Sequence, residues 1–352
     1  MEDARPPEPR TQVPAQPIKH KCPCQQSSIF EGIHMSCQCA FTFAAWLLVT
    51  LFTLPLSAGV VAVKHSVFTG DDNDNDGKFD NAPAIWAPIK GKKRQTSESY
   101  EMKGHTETMW LSYSFCEDPE CVRPPFDGQT PCMAGVGWHG PGGLAGFYHQ
   151  GFFDLIVDGV GLGHSKAQSE LLTQGESVQV QFTWELPGVK NSKRSVRALF
   201  EYSDDLPSCL LATFELTGEP PAEWHLELLT YPAGFPWARG VSNYEVTVFS
   251  PSVTAVWQGQ TIPLPPQDAW LLQAETKMSP EDRAKAGALS CAVIWTPSEV
   301  EEVRMDKNNR TFIRFKTGMT KAHVVLCEFP LQNLAQCQEF MRKCVSIREN
   351  RR

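Results

Sequence analysis

The stretch SVQVQFTWEL, residues 177–186, decides the fold, because apolar and polar side chains alternate along the whole run. Val178, Val180, Phe182 and Trp184 occupy one face, whereas the residues between them carry amide, hydroxyl or carboxylate groups. Successive side chains of a β-strand point to opposite faces of the sheet, so the pattern predicts a strand with one buried and one wet face. Strands of this kind are typical of antiparallel sheets.

Similar runs recur from about Glu101 to the end of the chain. They are rich in β-branched and aromatic residues and are bounded by Gly, Pro, Asp and Asn, which favour turns. They cover residues 107–115, 151–159, 197–202, 210–216, 223–231, 244–249, 253–259, 289–295, 310–316 and 322–329. The pattern predicts a mainly β body over residues 101–352, either an antiparallel β-sandwich or a larger double sandwich.

Two short helices interrupt the strands. Ser279 has the features of an N-cap, with Pro280 at the first helical position and a helix that ends near Gly287. The second helix is predicted over residues 333–345. One face of this helix is apolar, so we expect it to pack against the sheet; that face carries Leu334, Cys337, Met341 and Cys344.

An uncharged apolar run extends from Ala40 to Val63. It is long enough for the ~20 residues that a bilayer core requires. Residues 1–34 before it are rich in Pro and Gln and predict a disordered tail, and Lys19 and Lys21 favour an N-terminus on the cytoplasmic side. We therefore predict, over residues 35–63, either a single membrane span with an extracytoplasmic body or a signal peptide that is cleaved on secretion.

The segment 64–100, predicted to be a stalk and linker, contains the sequence DNDNDGKFD at residues 72–80. Ca²⁺ takes six to eight oxygen ligands, and a tight loop presents them from alternate positions. This loop resembles those of EF-hands, dockerin modules and thrombospondin type 3 repeats over residues 72–83, with Gly77 at the turn and Pro83 where the family has a bidentate acid. The resemblance implies a calcium site whose ligands are Asp72, Asp74, Asp76, the Lys78 carbonyl and Asp80.

Cysteine usage fits an exported body. The chain has 12 cysteines, and those after the apolar run are an even number, Cys116, Cys121, Cys132, Cys209, Cys291, Cys327, Cys337 and Cys344. An even number is compatible with disulfides in an oxidising compartment. We expect a bridge within the Pro-rich loop that holds the first three, because little else in the sequence would hold this loop in place. The alternative is zinc or free buried thiols, and the spacing matches no standard zinc pattern.

The charge argues against nucleic-acid binding. The formal net charge is −8, with 32 Lys and Arg against 40 Asp and Glu. The single basic cluster, residues 90–94, has no interleaved aromatic residues, so a solvated linker is favoured over a phosphate-binding patch.

Two loops offer candidate ligand-binding residues. Glycines cluster between residues 133 and 164, where Trp138 and His139 supply a stacking surface and a possible base. A second loop, residues 231–239, carries Trp237 and Arg239, which suit a sugar ring and its hydroxyl groups. The alternative for the first loop is a set of tight hairpins, and for the second a plug at one end of the sandwich.

Three function hypotheses follow. The first is a membrane-tethered or secreted binding module for a glycan or an extracytoplasmic protein, with calcium stabilising its stalk. The second is a carbohydrate-active enzyme, such as a glycoside hydrolase, lyase or epimerase-like protein, that uses acids on a concave sheet; the candidate acids are Asp154, Glu201, Asp204, Asp205, Glu215 and Glu227. The third is a structural envelope protein.

Overall fold

The computed structural model describes residues 62–70, 95–104, 107–116, 134–139, 147, 153–162, 166–173, 177–186, 194–203, 205–234, 236, 239–330 and 333–350. The predicted tail, residues 40–61 of the apolar run, the calcium loop 72–80 and Trp237 lie outside these residues. Cys121 and Cys132, which belong to the predicted bridge, lie outside them too.

The described residues are mainly β-strands. The strands are β1 (Ala62–Gly70), β2 (Gln95–Lys103), β3 (Thr108–Cys116), β4 (Ala134–His139), β5 (Phe153–Val157), β6 (Val160–Gly161), β7 (Ala167–Thr173), β8 (Ser177–Leu186), β9 (Arg194–Ser203), β10 (Cys209–Thr217), β11 (Trp224–Leu229), β12 (Val246–Phe249), β13 (Thr254–Trp257), β14 (Ile262–Leu264), β15 (Trp270–Glu275), β16 (Ser290–Trp295), β17 (Val300–Met305), β18 (Arg310–Phe315) and β19 (Lys321–Phe329). Two α-helices accompany them, α1 (Pro280–Ala286) and α2 (Leu334–Asn350).

Within the described part of the chain, the strands form three sheets. One has four strands in the order β1-β2-β3-β4, and another has six in the order β14-β17-β18-β11-β5-β6. The largest has nine strands in the order β13-β12-β15-β16-β19-β10-β9-β8-β7. Neighbouring strands pair antiparallel, for example β8 with β9 and β11 with β18. The prediction of a mainly β, antiparallel body with two helices is therefore confirmed.

The nine-stranded and six-stranded sheets share one apolar core. Phe153 of β5 enters this core from the six-stranded sheet. Its ring centroid lies 6.2 Å from that of Trp184, 5.6 Å from that of Phe200 and 6.0 Å from that of Phe214, which belong to neighbouring strands of the nine-stranded sheet. Aromatic pairs of this kind contribute about 0.5–1.5 kcal/mol beyond their area burial. The two sheets therefore pack face to face.

The four-stranded sheet joins the same core through Tyr113 of β3. Its ring centroid lies 5.5 Å from that of Phe182, and its hydroxyl oxygen accepts a hydrogen bond of 2.7 Å from the backbone N–H of Ala167. Burial raises the pKa of Tyr113 to about 12. The contact ties the N-terminal strands to the edge of the nine-stranded sheet.

Both helices begin where the sequence predicts. The backbone N–H of Asp282 donates to the Ser279 hydroxyl at 3.1 Å, and the helix stops at Gly287, whose φ is 71°. The second helix extends five residues beyond the predicted end, to Asn350. Its apolar side packs on the nine-stranded sheet as expected, with Cys337, Met341 and Cys344 buried against β15, β16 and β19.

The predicted stalk and linker contains regular structure. Strand β1 and most of β2 lie between residues 62 and 100; the β1 sequence is β-like, whereas the residues before β2 were predicted to be a solvated linker. Tyr100 shows the reason, because its side chain is 1% exposed in the shared core and its hydroxyl donates to Glu98. In the described ranges no helix is long and apolar enough to span a bilayer.

The expected bridge within the Pro-rich loop lies outside the side chains that the structure describes. Among the described thiols no disulfide is formed, and Cys209, Cys291, Cys327, Cys337 and Cys344 are all buried. They lie in apolar surroundings, where cysteine behaves as a small apolar residue.

A charged pair fastens the two large sheets at one edge. Arg194 begins β9 and donates to the Asp158 carboxylate, in the turn between β5 and β6, at 2.7 Å. The backbone N–H groups of Ala222 and Glu223 donate to the same carboxylate at 2.8 and 3.1 Å. Partial burial raises the pKa of Asp158, but these hydrogen bonds outweigh it and hold the pKa below the usual 3.8.

We predict that Asp158→Ala lowers the free energy of unfolding by about 2–4 kcal/mol at pH 7, since Arg194 would stay buried without its anion. The contribution of Asp158 is present above its unfolded pKa near 3.8 and is lost as the pH falls through its lower folded pKa. Urea denaturation at pH 7 and at about pH 3 measures both effects. Asp158→Asn is the matched control.

Asparagine keeps an oxygen for the two backbone donors and tolerates the φ of 49° at this turn, but it carries no charge. It should therefore lose less stability than alanine. A loss below about 0.5 kcal/mol for Asp158→Ala at pH 7 would contradict the role of the pair, because that is the range of ordinary surface substitutions.

Candidate functional site

The outward face of the nine-stranded sheet, away from the shared core, carries an ordered set of polar side chains. The registers of β19, β10, β9, β8 and β7 place them in three rows. The first row is Lys321, Glu215, Arg197, Thr183 and Gln168; the second is His323, Thr213, Leu199, Gln181 and Glu170; the third is Val325, Leu211, Glu201 and Gln179. We call these rows the polar face.

The polar face follows directly from the alternation of the strands. In β8 the burial alternates residue by residue, with Val178, Val180, Phe182 and Trp184 in the core. The residues between them must point to the other side. Neighbouring groups of one row lie about 4.8 Å apart and successive rows about 6.7 Å apart, so the backbone fixes the spacing of the hydrogen-bonding groups.

Charges alternate along the first row. The Glu215 carboxylate accepts from Lys321 Nζ at 2.8 Å and from the Arg197 guanidinium. The hydrogen bond from Lys321 and that from Arg197 outweigh partial burial and hold the pKa of Glu215 below its usual 4.5. The side chains of Lys321 and Arg197 are 52% and 47% exposed. Solvent therefore screens the pairs, which leaves both cations at the surface with hydrogen-bonding capacity.

The other two rows hold two glutamines, one threonine, one histidine, two glutamates and three apolar residues. Gln179 Nε2 donates to Glu201 at 2.8 Å, and Gln181 Nε2 lies 3.4 Å from the Thr183 hydroxyl. Leu199 lies between Gln181 and Thr213 and is half-buried. The face thus combines amide and hydroxyl groups around a small apolar centre.

A histidine and a glutamate lie at the β19 end of the second row. Glu299 Oε1 is 2.9 Å from His323 Nδ1, and the backbone N–H of His323 donates to the other carboxylate oxygen at 2.9 Å. A carboxylate on one ring nitrogen fixes the orientation of the ring. His323 is 34% exposed at its side chain, so the ring remains within reach of a ligand on the face.

The six-stranded sheet has a polar outward face as well. Glu227 of β11 is directly opposite Asp154 of β5 in the ladder, and Arg310 donates to Glu227 at 2.6 Å. His225 stacks on Phe312 with centroids 4.6 Å apart. Burial lowers the pKa of His225 more than the carboxylates of Glu227, Glu223 and Asp154 raise it.

On the polar face, Glu201 and Glu215 lie too far apart for the two-carboxylate arrangement of a glycoside hydrolase. Leu211 is the residue opposite Glu201, and Glu215 lies four residues further along β10, which separates the two acids by about 13 Å. Hydrolases need about 5–5.5 Å or about 6.5–9.5 Å. On the six-stranded sheet, Asp154 and Glu227 are directly opposite in the ladder, and Arg310 donates to Glu227 at 2.6 Å.

The ligand-binding residues predicted from sequence do not belong to the polar face. Trp138 and His139 lie on β4 of the four-stranded sheet, opposite Leu111 and Trp110. Arg239 is exposed in a turn after β11, where its backbone N–H donates to Pro236. The residues that sequence reasoning missed are His323, Arg197 and the glutamines of β8, although the alternation of β8 marks the glutamines as outward.

The side chains of the glycosylation sequon at residues 309–311 are engaged in hydrogen bonds within the fold. Asn309 Nδ2 donates to the carbonyl of Thr230, and its Oδ1 atom is buried. Thr311 is fully buried and accepts a hydrogen bond of 2.9 Å from Gln273 Nε2. The folded sequon is therefore inaccessible to a glycosyltransferase.

No family model matches the chain, and no curated protein matches it in sequence. Among solved structures it is similar to the α-N-acetylgalactosaminidase NagBb from Bifidobacterium bifidum in complex with GalNAc, with a TM-score of 0.40, 8% identity and 72% of this chain covered. The chain spans 38% of NagBb. It is also similar to a putative aldose 1-epimerase from Klebsiella pneumoniae, with a TM-score of 0.35 and 9% identity over 81% of this chain and 96% of that one. At these values neither structure indicates a function.

Proposed function

We propose that the body of this chain is a glycan-binding module and that the polar face of the nine-stranded sheet is its binding site. The observation that supports this proposal is the three-row register of β19, β10, β9, β8 and β7. Sugar hydroxyl groups both donate and accept hydrogen bonds, so they need amides, hydroxyls, cations and carboxylates side by side. The polar face offers all four within one backbone-fixed array.

Rigidity of the site favours binding. Four of the five strands that carry the rows, β19, β10, β9 and β8, are paired on both sides, so the backbone positions are fixed before a ligand arrives, and preorganisation lowers the entropic cost of association. Leu199 supplies an apolar surface for the C–H side of a sugar ring. Arg197 and Lys321 add charge-assisted donors, which favours a glycan with carboxylate or sulfate groups.

A glycan array probed with the full chain in detergent, followed by calorimetry on any ligand, tests the proposal. Arg197→Ala is expected to raise the Kd about tenfold or more, since a hydrogen bond from a charged group contributes about 1.5–3 kcal/mol. Arg314→Ala is the matched control. The Arg314 side chain also lies on the outward face of a strand and forms an ion pair with a glutamate, Glu302, at 2.7 Å, but its strand belongs to the six-stranded sheet.

Binding should be unchanged in the control. Wild-type protein that binds no glycan would reject the module hypothesis, and equal losses for Arg197→Ala and Arg314→Ala would place the ligand elsewhere than on the polar face.

The His323–Glu299 pair favours a second candidate, a carbohydrate-active enzyme of the lyase or epimerase-like class. Such reactions depend on proton transfer by a positioned base, and a histidine that a carboxylate orients is suited to it. This candidate uses one histidine rather than the paired acids that the sequence suggested.

On this second candidate, His323→Gln should abolish turnover of any glycan that binds while changing its Kd less than about threefold. His225→Gln, on the outward face of the six-stranded sheet, should leave turnover intact. The measurement is product formation by mass spectrometry or NMR on each array ligand; binding without turnover by the wild type would reject the enzyme for that ligand.

The membrane tether and the calcium loop belong to the same proposal. An N-inside span, or a cleaved signal, would place the body outside the cytoplasm, where glycans and millimolar calcium are available. Calcium at residues 72–80 would then stiffen the connection between β1 and β2. An extracytoplasmic protein is the alternative partner for the polar face.

A further inference from the structure

Three buried cysteines from separate parts of the chain meet beneath α2. Cys209 belongs to β10, Cys327 to β19 and Cys344 to α2. The Sγ atom of Cys209 lies 3.1 Å from that of Cys327 and 3.6 Å from that of Cys344, and all three sulfur atoms fall within 4.8 Å of one another. We call this group the thiol cluster.

The members of the cluster are positioned by three different elements of the fold. Cys209 and Cys327 are directly opposite in the antiparallel ladder, and the backbone N–H of Glu328 donates to the Ser208 carbonyl beside them. The pair therefore occupies a non-hydrogen-bonded position, where side chains approach most closely. The third thiol arrives from the helix that covers this end of the sheet.

Packing alone explains why the thiols are buried but not why they converge. Cys337 lies two turns before Cys344 on the same helix, and its sulfur is 3.5 Å from the Ser290 hydroxyl. Cys291 points into the shared core of the two large sheets. Neither belongs to the cluster, although both are as well buried.

We infer that the thiol cluster is a binding site for a soft, monovalent metal ion of the copper(I) class. Thiolates select soft ions, whereas structural zinc almost always takes four ligands in a tetrahedron. Among the described residues, the cluster offers three ligand atoms of one kind, sulfur, with no histidine or carboxylate in the group. Three sulfur ligands suit a trigonal copper(I) ion.

A pocket lies beside the helix, close to the cluster. It has a volume of about 640 Å³ and is lined by residues from the end of β19 and from α2, including Phe329, Cys337 and Phe340. Its lining also includes Ser208 and Lys343, the chain neighbours of Cys209 and Cys344.

Binding would join α2 to two strands of the sheet. Each thiol that binds loses its proton, so loading releases protons and becomes weaker as the pH falls. The metal would stabilise the docked helix in addition to its apolar contacts, because an ion that binds the folded form only shifts the unfolding equilibrium.

The test is a competition titration of the reduced, metal-free full chain with copper(I) against bathocuproine disulfonate, without oxygen. Wild type is expected to bind one more copper(I) equivalent than Cys344→Ala. Cysteines elsewhere, including those near the N-terminus, contribute equally to both proteins, so the difference reports the cluster. The affinity at this site should fall by more than about a hundredfold, since changes to outer-shell residues alone cost about 10–100-fold.

Cys337→Ala is the matched control, because it removes a buried sulfur from the same helix outside the cluster; it should retain the extra equivalent. Cys209→Ala and Cys327→Ala should lose it. X-ray absorption at the copper edge should show only sulfur neighbours in the equivalent that distinguishes wild type. Circular dichroism of each metal-free variant separates loss of the site from loss of the fold.

Three outcomes would overturn the inference. The first is an equal copper(I) stoichiometry for wild type and a folded Cys344→Ala. The second is tighter retention of zinc than of copper(I) at the site. The third is a Cys209–Cys327 disulfide, found by mass spectrometry of alkylated peptides, that persists when copper(I) and excess reductant are present.

Discussion

The apolar and polar alternation of β8, which β9 and β10 follow except at Leu199 and Leu211, is the constraint on which the rest of the structure depends. One face of these strands buries large side chains against Phe153 and the six-stranded sheet. Since the side-chain period of a strand is two, a slip of one residue would exchange the two faces and expose the whole apolar set. Burial thereby fixes the register, and the register fixes the order of the groups on the polar face.

The outward face has two ends with different chemistry, because α2 covers only one of them. Under the helix the sheet is covered on both sides, and β15 and β16 are buried at every position. Beyond the helix the same face carries Arg197, Glu215 and the glutamines of β8. The thiol cluster lies under the helix, next to the third row, so the two proposed sites share strands β10 and β19 but differ in access to solvent.

The sequence predicts the fold class well and the site poorly, for physical reasons. Strands with one wet face, such as β8, reveal themselves by alternation. Strand β15 was missed because α2 and the core bury both of its faces, which removes the alternation. Strand β2 was missed because its serines and glutamates are typical of linkers, although Tyr100 anchors it. His323 and Glu299 are 24 residues apart, and only the packing of β19 against the turn before β17 reveals that they meet.

On the proposed function, the polar face contacts a glycan, rather than a loop or the six-stranded sheet. A crystal structure of the full chain or its body with a bound oligosaccharide tests it most directly. If the polar face binds the glycan, sugar density is expected over Gln181, Leu199 and Thr213, with hydrogen bonds to Arg197 or Lys321. Density instead over Asp154 and Glu227, or on the loop after β11, would contradict it.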